Sequence, residues 1–224
     1  MTKKKLYRGI LALLAAGALS AAASAAEQGT APTNLTADSL TYDTRTGLIT
    51  AETNVRMEQG TGWVTGARAA YNTKTEEGTV EGGVHAVRDD MELSCDRLAG
   101  VGQDHWQASG SVRMTKAGRT FTGTEVDYYP AQNDYILAPS GGTITSADGT
   151  LTADRIEGWL KENRFVGTGS AHIISPPRDI EGGGDRMEYF GSAEKPYIVL
   201  DGNAWVFQGN NMARSNHMTV YLAD

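Results

Sequence analysis

A single cysteine in 224 residues rules out an internal disulfide, so the fold has to be held by burial and strand pairing. That residue, Cys95, falls at a small-residue position of a repeat and reads as a buried, inert thiol. Positive charge is also scarce. Lys and Arg number 20 against 27 Asp and Glu, and four of the basic residues (Lys3, Lys4, Lys5, Arg8) crowd the N-terminus. The remainder carries 16 against 27, a net charge near −11, with no basic stripe. This excludes nucleic acid as a partner, and adsorption to an anionic membrane with it. His85, His105, His172 and His217 show no metal-ligand spacing, and no G-x-S-x-G, H-E-x-x-H or P-loop occurs. No catalytic residue, metal or cofactor is expected. Sustained helical periodicity is absent after residue 26.

Residues 1–26 join the basic start to a short apolar run, Ile10 to Leu19, and to Ala23-Ser24-Ala25. That three-part pattern predicts a cleavable secretory signal peptide. The rival reading is a retained anchor, but the run is short of the roughly 20 residues a bilayer span needs. A flexible leader is expected over 27–33 and one domain over 34–224.

What fills that domain is one unit repeated. Its clearest copy runs from Leu151 to Ile173. The first arm shows Leu151 and Ala153, then Ile156 and Gly158, so the alternation slips by one residue at Asp154. A strand presents one face every second residue, so the slip predicts a bulge or bent corner there. The second arm, Phe165, Gly167, Gly169, Ala171, Ile173, keeps period two. Small corner residues recur at 37, 66, 95, 123, 153, 184 and 215, spaced by 29, 29, 28, 30, 31 and 31. Such a period marks an array of about seven hairpins, read as about 13 or 14 antiparallel strands. Bulky apolar positions of the first arms are Leu40, Leu98, Phe121, Val126, Leu151, Ile156 and Met187. Those of the second arms are Ile49, Val55 and Met57; Val80 and Val84; Trp106, Val112 and Met114; Ile136 and Ile144; Phe165 and Ile173; and Ile198, Leu200 and Val206. Together with the Gly, Ala and Thr between them, including Thr53, Gly82, Gly110 and Gly202, they form the expected inward face. Pro139 lacks a ladder donor and predicts a break in the fourth return strand. A face this apolar is either covered by the opposite sheet or filled by something greasy.

The pattern A-D-x-h-x-Y, a turn, then h-x-[AG]-x-[GN]-x-V resembles the OstA-like family. It is carried by Ala37-Asp38-Ser39-Leu40-Thr41-Tyr42 with Ile49-Thr50-Ala51-Glu52-Thr53-Asn54-Val55-Arg56-Met57, by Cys95-Asp96 with Gly110 and Val112, and by Ala153-Asp154 with Gly167 and Gly169. That family comprises the periplasmic lipopolysaccharide-transport proteins A and C and the N-terminal domain of protein D. Within it the protein A branch (LptA-like) fits better than C, given the cleavage site, and better than D, which needs a following barrel. The resemblance implies an all-β, antiparallel β-jelly roll, a V-shaped, solenoid-like array with an apolar groove. It implies a periplasmic carrier that shields the lipid A acyl chains of lipopolysaccharide in that groove, for which the bulky inner positions are the candidate lining. It also implies a head-to-tail homo-oligomer bridging an inner-membrane transport complex (protein C-like) and an outer-membrane translocon (protein D-like). The family has no catalytic residues to carry over. Ala67 and Thr124 depart from it by replacing the corner Asp.

The expected edge contacts are Leu35, Leu40 and Tyr42 at one end and Met218, Val220 and Leu222 at the other, pairing strand to strand between copies. Asp38, Asp96, Asp154 and Asp185 read as acceptors of backbone hydrogen bonds at the corners rather than acid–base pairs, with Arg97, Arg155 and Arg186 offsetting their repulsion. Trp106 reads as lining and Trp159 as turn. The alternatives are a membrane-anchored, protein C-like member of the same pathway and a structural β-repeat with no ligand. A β-helix enzyme is disfavoured by hairpin alternation and by the lack of a charged cluster.

Overall fold

Left-handed residue pairs, spaced along alternate strands, set the architecture. Thr53 and Asn54 (φ 61° and 54°), Gly82 and Gly83, Gly110 and Ser111, Gly169 and Ser170, and Gly202 and Asn203 all take positive φ. They sit on second arms, each opposite a first-arm corner. In the computed structural model, which describes residues 33–100 and 105–222, the pairs at 53–54, 82–83, 169–170 and 202–203 are the bulges at which the register shifts. The expected signal peptide and most of the leader lie outside the described residues.

The chain forms two compact units, one ending at Ala108 and one beginning at Ser109. The first holds β1 (Thr33–Thr36), β2 (Ser39–Asp43), β3 (Leu48–Gln59), β4 (Gly62–Asn72), β5 (Glu77–Arg88) and β6 (Met91–Gly100). Strand β7 (Trp106–Lys116) carries the chain into the second. The second continues with β8 (Arg119–Tyr129), β9 (Tyr135–Ala138), β10 (Gly142–Ser146), β11 (Gly149–Ala153), β12 (Arg155–Trp159), β13 (Arg164–Ser175), β14 (Ile180–Phe190), β15 (Tyr197–Gln208) and β16 (Asn211–Tyr221). Successive arms pair antiparallel, as a chain of hairpins must, and an arm cut in two pairs piecewise: β1 and β2 both pair β3, β9 and β10 both pair β8, and β11 and β12 both pair β13. Two short 3-10 turns, at Leu160–Glu162 and Pro176–Arg178, are the only helical elements among the described residues.

The protein is therefore all-β and antiparallel, with 16 strands among the described residues rather than 13 or 14. The surplus comes from arms cut at their corners. Ala37–Asp38 separates β1 from β2, Asp154 separates β11 from β12, and Pro139–Gly141 separates β9 from β10 as the missing ladder donor predicts.

The first arms bend at the corner as expected, with breaks at Asp38 and Asp154, but the extra residue of the bulge lies on the other arm. Between Glu52 and Val55 on β3, two residues face the single Ala67 on β4, and the same two-against-one count recurs at 82–83, 169–170 and 202–203. Thr53, Gly82, Gly110, Gly169 and Gly202 accordingly leave the inward row and turn at the corners instead, with Thr53 and Gly82 exposed. Gly202 shows why glycine recurs. Its φ is +68°, and a Cβ there would lie 2.4 Å from Asp185 Oδ2. Left-handed geometry, rather than small size in an inner lining, selects the residue.

Candidate binding groove

Corners are fastened by a clasp. The Asp38 N–H donates to Thr53 O (3.0 Å) and the Asp154 N–H to Gly169 O (2.9 Å). The Asp carboxylates then accept from the side chain of the second left-handed residue. Asn54 Nδ2 donates to Asp38 (2.9 Å), Ser170 Oγ to Asp154 (3.1 Å) and Asn203 Nδ2 to Asp185 (3.0 Å). Asp38, Asp154 and Asp185 thus accept from side chains of the adjacent strand, not from their own backbone turn. Nor do the following arginines offset it: Arg97 pairs with Glu81 (2.9 Å), Arg155 with Glu157 (3.6 Å) and Arg186 with Glu188 (2.5 Å). Where Ala67 replaces the Asp, Gly83 occupies the donor position, so acceptor and donor are lost together.

The inner faces are apolar and closely packed. In the first unit Ile49, Val55, Met57, Val80, Val84 and Leu98 are buried, and Trp106 is half-buried. Leu40, expected among them, is 53% exposed, because β2 is an edge and nothing described covers it. Tyr71 lies inside the same unit. Its hydroxyl is buried without a hydrogen-bond partner, and burial, aided by the charge of Glu76, pushes its pKa up to about 12. In the second unit Val112, Met114, Phe121, Val126, Ile136, Ile144, Leu151, Ile156, Phe165, Met187, Ile198 and Leu200 are buried, while Ile173 and Val206 are half-buried.

The inner face of the second unit closes on itself. Phe165 and Ile173 stand eight residues apart on β13 yet line one cavity. A straight strand would hold them about 26 Å apart, so β13 folds back at Gly169–Ser170. Arg119 makes the same point from the rim. It begins β8, and its guanidinium reaches across to Asn163, at the start of β13 (Nη2 to Oδ1, 2.5 Å), with Phe165 beneath it at 5.6 Å. The cavity holds about 50 Å³ and is lined by Ile144, Leu151, Phe165, Ile173, Met187, Tyr189 and Leu222, with Arg119, Asp148 and Arg178 at its polar side. That is room for one or two waters. A larger, open cleft, about 720 Å³, lies at the corner of the first unit, but its lining mixes the charged Glu52, Arg56 and Arg68 with Val55, Ala67 and the exposed backbone of Gly82–Gly83.

At the ends, Tyr42 is exposed, and Leu35, Met218 and Val220 are half-buried. Leu222 lies just past β16; its N–H donates to Pro196 O (2.8 Å) and its side chain is buried against the cavity rather than offered along the edge. Trp159 ends strand β12 rather than forming a turn. The rim residues Arg119, Asn163 and Arg178 escape sequence reading, since they fall in turns where the repeat is not periodic. Among the described residues no cluster of His, Cys, Asp or Glu could hold a metal, and no helix is long and apolar enough to cross a membrane.

Residues 34–224 match the sequence family described as LptA/(LptD N-terminal domain) LPS transport protein. No curated protein sequence matches the chain. Among solved structures it is similar to LptH, the LptA homologous periplasmic component of the conserved lipopolysaccharide transport device of Pseudomonas aeruginosa. The two share 13% identity over 66% of this chain and 96% of that one, with a TM-score of 0.36. The family match covers nearly all of the array, and on it the chain belongs to the LptA/LptD N-terminal family of lipopolysaccharide-transport proteins.

Proposed function

We propose that the protein is a periplasmic carrier that takes lipid A acyl chains of lipopolysaccharide against the inner faces of its folded sheets. It would hand them along a head-to-tail bridge of copies, from a protein C-like inner-membrane complex to a protein D-like outer-membrane translocon. One observation carries this reading: within each unit the bent arms turn rows of apolar side chains inward on strand after strand. Each methylene moved from water to such a face contributes about 0.8 kcal/mol, so a carrier of acyl chains needs no polar chemistry. A cavity of about 50 Å³ is far too small for a chain, so loading requires the two walls of the second unit to part. The same tightness favours a second reading, a closed structural array without ligand.

A photo-activated residue at Val112 or Ile173, tested in cells, separates the two. Cross-links to lipopolysaccharide support the carrier. Cross-links confined to the protein itself reject it in favour of the closed array.

A further inference from the structure

We propose that Arg119 is the seat for a phosphate of the lipid A headgroup at the rim of the second unit, with Arg178 as its neighbour. This deepens the carrier reading and rests on it. Cations with a carboxylate partner are the rule on this acidic chain: Arg97, Arg155, Arg164 and Arg186 all face Glu. Arg119 does not. Its hydrogen bonds go to neutral oxygens, Asn163 Oδ1 (2.5 Å) and the carbonyl of Ala117 (3.4 Å), and its flat face lies over Phe165. A guanidinium satisfied by an amide keeps its full charge available, and a charged acceptor makes a hydrogen bond roughly twice as strong as a neutral one. Arg178 adds a second donor group on the same cavity. Its Nη1 bonds Asp148 (3.2 Å), while its Nε is buried with no partner. Arg119, Arg178 and Asp148 sum to one positive charge among the groups lining the cavity, on a chain whose formal charge is −7.

The placement ties charge to opening. Arg119 spans from the start of β8 to the turn before β13, so its bond to Asn163 holds the two walls together over Phe165. An incoming phosphate would take the guanidinium from Asn163, releasing the wall contact as the acyl chains meet the apolar lining beneath. The phosphate then stays at the rim and the chains go inside, as an amphiphile requires.

The test compares binding of diphosphoryl lipid A with that of the same acylated disaccharide stripped of phosphate. The native protein should prefer the phosphorylated form by about tenfold, the scale of one charge-assisted bond. Arg119→Gln should abolish the preference while leaving the stripped lipid bound within about twofold, and Arg119→Lys should keep most of it. Asn163→Asp offers Arg119 an internal carboxylate at a left-handed position that Asp tolerates, and should also cut the preference. It decides the matter if Arg119→Gln does not fold. A preference unchanged in both variants, or equal binding of the two lipids by the native protein, overturns the phosphate seat and leaves the carrier reading intact. Binding of neither lipid overturns the carrier reading itself.

Discussion

At the scale of single residues, the corner clasp gives the sharpest expectations. Asp154→Ala removes one side-chain acceptor at an exposed corner, and should cost about 1 kcal/mol. Gly169→Ala should cost more, about 1–3 kcal/mol. Its φ is +75°, and the new Cβ would meet Asp154 Oδ2 at 2.6 Å. Urea unfolding of both variants ranks them, and the reverse order would mean that conformation does not select glycine there. Tyr71→Phe should act in the opposite direction. It deletes a buried hydroxyl that has no partner, and should stabilise by about 1 kcal/mol. A lowered Tm would show that the hydroxyl is bonded after all. These corners also show what was legible in the amino-acid order. The first arm advertises its kink, because Gly66 to Ala69 is a step of three. The extra residue is on the second arm, where Val55 to Ala51 is a step of four. Four is two ordinary steps, so a bulge there leaves no trace in the alternation, and Thr53 passes for an inward residue.

At the scale of elements, the outer face of the second unit carries a ladder that inward-looking pattern reading misses. Tyr129 faces Tyr135, Tyr135 faces Trp159, Trp159 faces Arg164, Arg164 faces Phe190, Phe190 faces Tyr197 and Tyr197 faces Tyr221, each a direct cross-strand pair. Ring centroids lie 4.6 Å apart at Phe190–Tyr197, and Arg164 sits 4.4 Å from the Trp159 ring. Such pairs pin register where the inner face alone, all apolar, would tolerate a slip of two. A double-mutant cycle on Phe190 and Tyr197 should return about 0.5–1.5 kcal/mol of coupling. Beside the ladder, Glu188 is buried between Arg164 (2.7 Å) and Arg186 (2.5 Å). Burial alone would raise its pKa, but the hydrogen bonds and charges of the two arginines outweigh it and leave the carboxyl below its ordinary 4.5. Its contribution is therefore complete above about pH 4.5 and is lost as pH falls through the lower folded value. Glu188→Gln should cost about 1.5–3 kcal/mol at pH 7 and flatten the acid limb of the stability curve. An acid limb of unchanged slope would show that Glu188 titrates alike in the folded and unfolded states.

At the scale of the whole molecule, the two edges left open among the described residues constrain how copies would join in the proposed bridge. Inside each unit a first arm lies between two return strands, the preceding one on one side and its own on the other. Among the described residues, β1–β2 lacks the preceding return strand and β16 lacks a following one, and both are first arms. A joint that keeps the apolar inner faces on one side must bring these two open sides together. The strands then run the same way, and the joint is parallel, unlike the pairings within the chain. Matching corner to corner sets the register: Ala37 beside Ser215, Leu40 beside Met218, Thr41 beside Thr219. The exposed Leu40 would gain there the neighbour its counterparts Leu98 and Ile156 already have. Neighbouring strands bring Cα atoms within the roughly 4.4–6.8 Å a disulfide spans. Mixing Thr41→Cys with Thr219→Cys should therefore give an oxidised dimer, while Thr41→Cys with Arg214→Cys, which an antiparallel joint would align, should not. Cys95, buried at 4% exposure, stays out of the exchange. Cross-linking only through Arg214→Cys would mean that the inner faces do not continue from copy to copy, and a lipid handed along the bridge would have to cross from one face to the other at every joint.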